Sequence, residues 1–389
     1  MTDALRFADL TADQLTEVLE IRLRSFGQLP ASAREEWLSD GREFVADGRF
    51  FGVLAGDKVV AGARIWDFDQ WWAGRPVRMA GVAGVVVAPE FRGRGVGSLL
   101  MRGVLERSKA YGFPLTALYP ATVVVYRHLG YEFAGGRYKF SFPAADVRVL
   151  GGKEVEVRQG GPDDAARLLE LVAEVRSAGR ESGMLRWPEA KVREWLGESE
   201  TFSYLADDGF VVYTWDGSDL RVDEIVAGSE ATARALWATV GSGSSIARSV
   251  HAYVAPHDPI HLFLGHEADH TAQVQRWMLR LLDPQAAITA RGWLPGVAVE
   301  TEFEIDDAEL PDNAGRWRLA VAGGAAELTA STGSGSVPRL TARGLAALYG
   351  GTPLASLRAA GLATGGLPAD DALLDTAFAG PAPYMLDFF

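Results

Sequence analysis

The residues best suited to chemistry lie in one segment of the chain, VVVAPEFRGRGVGSLL at positions 85–100. Its valines predict a strand and its last residues begin an amphipathic helix, so the middle must be a loop that leads from strand to helix. Glycines in such a loop let backbone N–H groups approach a ligand closely, and the helix adds its positive N-terminal end. The loop residues that favour a diphosphate ligand are Arg92, Gly93, Arg94, Gly95 and Gly97.

Two common nucleotide-binding patterns are absent from this segment. It lacks the Gly-x-Gly-x-x-Gly of dinucleotide-binding folds, and no Gly-Lys-Ser/Thr completes a phosphate loop. A glycine-rich turn that holds no ligand is the structural alternative. If the segment does bind a ligand, it predicts an anion-binding site that differs from these two nucleotide-binding patterns.

A rival catalytic pattern, HEADH at positions 266–270, fits the His-Glu-x-x-His of zinc peptidases. That chemistry needs both histidines on one helix face, whereas residues 260–264 read as a strand that ends at Gly265. No later histidine is available as a third ligand, which leaves distant carboxylates such as Glu300 or Glu302. We therefore expect no metal. Zinc chemistry stays as an alternative that would use His266, Glu267 and His270.

Hydrophobic periodicity and turn residues predict the elements that position the arginine-glycine loop. An apolar stripe marks the first helix, and a turn at residues 55–57 joins two strands. The first domain should contain helices at 9–25, 98–110 and 123–129, and strands at 50–54, 58–66, 79–87, 115–119 and 133–142.

The next part of the chain repeats this order coarsely. It has predicted helices at 163–176 and 230–239 and strands at 202–205, 210–215, 221–226 and 260–264. It has no counterpart of the arginine-glycine loop, so a degenerate copy of the first domain would bind no cofactor. A helix to Ala290 and an alternating strand at 297–305 then open a third unit. We predict domains at 1–150, 151–283 and 284–389.

Composition limits the class of protein. The chain has 389 residues, too many for one ordinary core, and 48% of them are hydrophobic, so we expect two or three folded domains. The absence of cysteine excludes disulfides, thiol nucleophiles and thiolate zinc sites. A formal charge of −13 disfavours nucleic acid as a partner. Without a signal sequence or a long apolar run, we expect a soluble cytoplasmic protein with no membrane partner.

The arginine-glycine segment resembles the GNAT acetyltransferases, whose signature Arg/Gln-x-x-Gly-x-Gly/Ala is matched by Arg92, Gly95 and Gly97. The full length resembles the Eis family of GNAT N-acetyltransferases at LYP (118–120), RLLD (280–283), LAALYGG (345–351) and the final DFF (387–389). This resemblance implies a mixed α+β and α/β fold, with two tandem GNAT-like domains followed by a sterol-carrier-protein-like domain. It also implies direct transfer of acetyl from acetyl-CoA to an amine.

The resemblance further implies roles for particular residues. Tyr126 corresponds to the family tyrosine that protonates the departing thiolate; a core tyrosine that packs against the sheet is the alternative. The carboxylate of Phe389 corresponds to a general base, and the apolar tail that carries it would prefer burial; simple docking of that tail is the alternative. The residues expected to contact acetyl-CoA are Val85, Val86, Val87, Arg92, Gly93, Arg94, Gly95, Val96, Gly97, Ser98, Ala121 and Thr122.

The acceptor is left open by the sequence. Family members that acetylate polycationic aminoglycosides use acidic groups, but residues 24–28 contain no carboxylate and the penultimate residue is Phe388. An amine-bearing small molecule or a lysine side chain fits equally, and Phe26, Trp37, Trp71 and Trp72 could line an aromatic cleft. A lipid-binding role through the third domain is the non-enzymatic alternative. The resemblance also implies a homohexamer.

Overall fold

The computed structural model of the chain describes residues 4–152, 154–264 and 272–389. Helix α1 begins at Leu15 rather than at residue 9, because residues up to Asp9 pair with a neighbouring strand instead. Its buried face carries the predicted apolar stripe. The elements of the first part are β1 (Leu5–Asp9), α1 (Leu15–Phe26), α2 (Ala31–Ala46), β2 (Phe50–Ala55), β3 (Lys58–Trp72), β4 (Arg75–Val87), α3 (Val96–Ala110), β5 (Leu115–Leu118), α4 (Val123–His128), β6 (Glu132–Pro143) and α5 (Ala144–Arg148).

The second part repeats a helix, a run of strands and a helix, as the sequence predicted. Its elements are β7 (Arg158–Gln159), α6 (Ala165–Gly179), β8 (Leu185–Arg186), α7 (Glu189–Leu196), β9 (Thr201–Ala206), β10 (Gly209–Asp216), β11 (Asp219–Ala227), α8 (Glu230–Gly241), β12 (Ser249–Tyr253), α9 (Ile260–Phe263) and β13 (Gln273–Leu281). The predicted strand at 260–264 is wrong. This apolar run forms the helical turn α9, because Pro259 precedes it and the Asp258 carboxylate accepts a hydrogen bond from the Ile260 N–H.

The strands of these two parts form one continuous sheet. Its order is β1-β2-β3-β4-β5-β13-β6-β12-β11-β10-β9-β7, with β8 beside β3. Strand β13 comes late in the chain but lies between β5 and β6, and β6 pairs with β12. The predicted boundaries at 150 and 283 remain predictions, and the sheet runs on without a break past the first of them.

The third part folds around a second sheet, of order β16-β15-β14-β17-β18. Alternate residues of the predicted strand at 297–305 are buried, which matches a sheet with one covered face. The elements are α10 (Pro284–Ala290), β14 (Val299–Asp306), β15 (Gly315–Ala322), β16 (Ala325–Ala330), β17 (Pro338–Thr341), α11 (Ala342–Tyr349), α12 (Leu354–Ala359), β18 (Ala363–Gly365) and α13 (Pro368–Phe378).

Two ion pairs, Arg280–Asp307 and Arg343–Glu132, join the third part to the first sheet, and the first of them is buried on both sides. Arg280 of β13 bonds both oxygens of Asp307 at 2.6 Å, and each side chain is only 1% exposed. Glu132 of β6 accepts from Arg127 at 2.8 Å and from Arg343 of α11 at 2.5 Å. Breaking a buried pair leaves an uncompensated charge, which costs about 3–5 kcal/mol. The third part, and the tail that follows it, therefore has a fixed position.

Candidate active site

Strands β4 and β5 diverge and open a cleft in the first sheet. They pair in parallel only through residues 79–81 and 115–117, although β4 continues to Val87. Pro120 follows the end of β5 and cannot continue a ladder. Among the described pairings, the backbone of β4 beyond Gly81 has no partner on the β5 side. The two strands therefore separate beyond Gly81.

A β-bulge bends β4 beside this cleft. In the ladder with β3, two steps along β3 from residue 62 to 64 correspond to three along β4 from residue 86 to 83. Gly84 lies within the bulge at a φ of 62°, a left-handed conformation that glycine adopts without strain. Val85 and Val87 are partly exposed, while Val86 packs in the core formed with α1 and α2. The bulge therefore bends and twists the end of β4 where it borders the cleft.

The predicted loop leads from β4 into α3 with its glycines open to solvent. Gly93 and Gly95 have φ values of 73° and 78°, and a Cβ atom at either would meet nothing within 4 Å. Helix α3 begins at Val96, and the partly exposed Gly97 and Ser98 lie in its first turn. Amide groups of a first helical turn have no partner within the helix. This concave, amide-rich surface is suited to an anion.

The two arginines of the loop differ in their contacts. Arg92 donates from Nε to the Val87 carbonyl at 3.2 Å and from Nη2 to Ser25 Oγ at 3.0 Å. It therefore ties the loop to β4 and to α1, a bracing role that the sequence did not predict. Arg94 is exposed, with its guanidinium carbon 5.7 Å from the centre of the Phe91 ring. Arg94 is the better placed of the two to reach a phosphate.

We expect Gly95→Asp to weaken acetyl-CoA binding by at least about 100-fold, since like-charge juxtaposition costs several kcal/mol. The side chain has room, so the fold should survive, but its carboxylate would lie where the diphosphate is expected. Calorimetry with acetyl-CoA measures the loss.

Gly112→Asp is the matched control for this substitution. Gly112 is also exposed, has a φ of 75° and has no atom within 4 Å of a built Cβ, but it follows the opposite end of α3. The free energy of unfolding should fall by a similar amount in the two variants, and only Gly95→Asp should weaken acetyl-CoA binding. If both variants bind acetyl-CoA with equal affinity, the loop is not part of the cofactor site.

Tyr126 lies on α4, which follows the diverging end of β5. Its ring is 5% exposed and packs edge to face with Tyr131, at a centroid distance of 6.0 Å. Burial raises the pKa of Tyr126 to about 12, so the hydroxyl keeps its proton throughout the neutral range. Tyr126 is thus a core residue that can also donate a proton. The neighbouring Ala121 and Thr122 are exposed at the start of α4.

The C-terminal residue lies where β4 and β5 separate. The Phe389 ring centre is 5.3 Å from that of Phe68 on β3 and 5.7 Å from that of Tyr119, just after β5. A Cβ atom built on Gly81, the last β4 residue paired with β5, would come within 3.0 Å of the Phe389 ring. The chain end is therefore threaded into the cleft of the first sheet.

Hydrogen bonds fix the path of the tail that precedes Phe389. The Tyr119 hydroxyl donates to the Asp387 carbonyl at 2.7 Å, and Arg137 Nε donates to the Leu386 carbonyl at 2.7 Å. The Trp187 indole donates to Asp387 Oδ1 at 2.9 Å. Three separate elements thus hold the last residues, which is more than an apolar tail docked by hydrophobic contact alone would show.

Three family models match parts of this chain. The Acetyltransferase (GNAT) domain matches at residues 6–134 and, as a second model, at 180–281. The Sterol carrier protein domain matches at 284–386. The predicted fold class of two GNAT domains followed by a sterol-carrier-like domain is confirmed.

Relatives match along the whole length. A crystal structure of a GCN5-related N-acetyltransferase from Kribbella flavida is 66% identical, covers 100% of this chain and 99% of its own, and superposes with a TM-score of 0.97. The chain belongs to the Eis-like GCN5-related N-acetyltransferases. N-acetyltransferase Eis of Mycobacterium tuberculosis is 28% identical over 90% of this chain and 89% of its own length. Eis1 of Mycobacterium abscessus, 21% identical over 99% of this chain and 100% of its own, shares the fold with a TM-score of 0.76.

This acetyltransferase has a cavity of about 510 Å³ on the second-domain side of the tail. We call it the tail cavity. Leu386, Asp387 and Phe388 form one wall, and residues of α6, α7 and β11 form the others. Burial raises the pKa of Asp387. Of the aromatic residues considered for a cleft, Trp71 lines this cavity, whereas Trp72 is fully buried in the core.

The zinc alternative is untested by the structure, because His266, Glu267 and His270 lie outside the described residues. Across the described residues, no group of three His, Asp or Glu side chains is arranged to hold a metal ion. Within the same parts of the chain, no helix is long and apolar enough to span a membrane.

Sequence reasoning missed several residues that shape the acetyltransferase site. Tyr119, Arg137 and Trp187 hold the tail from three distant segments, and Gly81 leaves space for the last ring. A glycine in a valine-rich strand is a signal of close approach that the sequence offered at position 81. The contacts of the other three with the tail give no local signal, because their partners lie at least 200 residues away in the chain.

Proposed function

We propose that this enzyme transfers acetyl from acetyl-CoA directly to an amine in the β4–β5 cleft, with Tyr126 as general acid and the Phe389 carboxylate as general base. The observation that carries this proposal is the chain end threaded between the diverging strands. The partly buried Phe389 packs against Phe68 and Tyr119, and hydrogen bonds to two preceding residues hold this end of the chain in the cleft. The expected site brings a base, an acid and a cofactor loop to one edge of one sheet.

The proposed cofactor site follows the exposed edge of β4 and the start of α3. Backbone groups of residues 85–87, other than the Val87 carbonyl that Arg92 binds, would meet the pantetheine arm, and the amides of the arginine-glycine loop would hold the diphosphate. Ala121 and Thr122 would border the cofactor on the opposite side of the cleft. The expected contacts remain Val85, Val86, Val87, Arg92, Gly93, Arg94, Gly95, Val96, Gly97, Ser98, Ala121 and Thr122, with Arg92 acting partly through its bracing bonds.

In the proposed reaction the amine first gives up its proton, because most amines are protonated at neutral pH. The Phe389 carboxylate accepts this proton, directly or through water. The amine nitrogen then attacks the thioester carbonyl carbon, the C–S bond breaks, and the leaving thiolate takes a proton from the Tyr126 hydroxyl. The new amide nitrogen releases its extra proton to solvent, and the Phe389 carboxyl group then releases the proton that it accepted. Tyr126 recovers its proton from solvent before the next cycle.

The tail cavity is the proposed entry for the acceptor. Its lining has five cationic and five carboxylate side chains, so it lacks the negative excess that a polycation would need. Aromatic side chains of Trp71, Trp187, Trp195 and Phe388 also line it. These features favour an amine with a single charge and an apolar part, either a small molecule or a lysine side chain, over an aminoglycoside.

A panel of amines tests the proposed function. Acetyl-CoA is mixed with the enzyme and with phenethylamine, an Nα-acetyl-lysine amide, spermidine or kanamycin, and the released thiol is followed by colorimetry. We expect amine-dependent release with at least one monoamine and an acetylated product by mass spectrometry. Lipid in the purified protein, together with no acetyl-CoA binding, would instead favour the lipid carrier. Light scattering tests the predicted hexamer.

A further inference from the structure

The second GNAT domain repeats the strand divergence of the first. Strands β11 and β12 pair in parallel only through residues 220–222 and 250–252, although β11 continues to Ala227. Helix α8 follows β11 as α3 follows β4, and α9 follows β12 as α4 follows β5. The second domain therefore has a cleft at the position that the proposed cofactor site occupies in the first.

This second cleft has lost the features that favour a diphosphate. The loop from β11 to α8 is only Gly228 and Ser229, and no arginine lies in it. Ser229 Oγ accepts from the Thr232 N–H at 3.3 Å and so occupies part of the helix end. Glu230 adds a negative charge to the first turn of α8. An anionic cofactor would be repelled here.

A cavity of about 480 Å³ nevertheless remains in the cleft. We call it the second-domain cavity. Trp237 and Phe263 give it apolar walls, and its polar groups include the Glu181 and Asp258 carboxylates and the Tyr384 hydroxyl. This volume is within the range of small-molecule sites.

The side chains that line the second-domain cavity carry more negative than positive charge. Among the described lining residues Arg176 is the one cation; it pairs with Glu224 of the tail cavity, and the Glu181 carboxylate also interacts with its charge. Among the described residues, the hydrogen bond that the Glu181 carboxylate accepts comes from a neutral group, the Tyr384 hydroxyl, at 2.8 Å. Burial, with a further contribution from Glu181, raises the pKa of Asp258 to about 6. One shared cation leaves a cavity lined by the Glu181 and Asp258 carboxylates with an excess of negative charge, and such an excess is costly where it is partly buried unless a ligand offsets it.

We infer that the second-domain cavity binds a small organic amine as its ammonium ion, with the charge held by Asp258 and Glu181 and the apolar part against Trp237 and Phe263. Ammonium groups donate strong hydrogen bonds to carboxylates and are attracted to the faces of aromatic rings. This binding site is separate from acetyl transfer and does not rest on the proposed function.

Calorimetry with 2-phenylethylamine and the full-length protein, without acetyl-CoA, tests the inference. We expect binding to the second-domain cavity, and at least about tenfold weaker binding of the neutral isostere 2-phenylethanol, because a charge-assisted hydrogen bond is lost. Equal affinity for the alcohol, or no binding of the amine, would overturn the inference.

Two matched variants decide which cavity the amine enters. Asp258→Asn removes a carboxylate from the second-domain cavity, and Asp223→Asn makes the same change in the tail cavity. We expect Asp258→Asn, and not Asp223→Asn, to weaken the binding of 2-phenylethylamine by about 10- to 100-fold. If only Asp223→Asn weakens binding, the amine occupies the tail cavity and the inference is wrong. Should Asp258→Asn fail to fold, Val175→Phe narrows the cavity from a partly exposed helix position and must also abolish this binding.

Discussion

Tyr126→Phe is expected to lower the turnover number by about 10²- to 10⁴-fold, the usual contribution of a general acid, with little change in acetyl-CoA affinity. Phenylalanine keeps the buried ring and its contact with Tyr131, so the core should stay intact. Only the proton donor is lost, and the thiolate must then leave unprotonated. Steady-state kinetics with acetyl-CoA and the best amine of the panel measure the change.

Tyr131→Phe is the control for this prediction. Tyr131 is a fully buried neighbour whose hydroxyl forms a hydrogen bond with Thr116 Oγ1 at 3.1 Å. Its loss should cost about 1 kcal/mol in the free energy of unfolding and leave the turnover number near its normal value. If the two variants turn over equally fast, Tyr126 is a packing residue and another group protonates the thiolate.

One glycine appended after Phe389 should abolish measurable acetyl transfer while leaving the fold and acetyl-CoA binding in place. Every side chain stays the same, but the terminal carboxylate moves by up to about 3.5 Å, which exceeds the misplacement that proton transfer tolerates. Loss of a general base lowers the rate by about 10²- to 10⁴-fold. Thiol release and acetyl-CoA calorimetry on the same preparation give the two readouts.

A glycine inserted between Gly333 and Ser334 provides the control for the longer chain. These residues lie in an exposed loop of the third domain, so the insertion adds the same residue without moving the chain end. It should leave turnover unchanged. Full activity in the variant extended after Phe389 would show that the end group is not the base.

The strand, loop and helix of the proposed cofactor site could be predicted because their signals are local. Valines, glycines and an apolar helical face follow one another within 85–100, and the structure has β4, an open loop and α3 there. Strand β13 could not be placed in the same way. Its residues lie between β5 and β6 only because distant parts of the chain meet, and no periodicity encodes which strands will be neighbours.

Two features that the sequence analysis did not predict, a helical turn and the bracing bonds of Arg92, have the same physical origin. The run at 260–264 is apolar enough for a strand, but the Asp258 carboxylate and Pro259 start a helical turn there. Arg92 fits a phosphate-binding pattern, yet its donors bond Ser25 and Val87. In both cases a side-chain hydrogen bond decides the outcome, and residue type alone does not reveal which partner comes within reach.

The most direct test of the account is the activity of the protein with its terminal carboxylate converted to an amide. Cleavage of an intein fusion with ammonia makes this change, which removes the negative charge and moves no atom of the chain beyond Phe389 itself. We predict that the amide binds acetyl-CoA with unchanged affinity and loses acetyl transfer by at least about 100-fold. An amide that transfers acetyl at the rate of the unmodified enzyme would contradict the proposed role of the chain end.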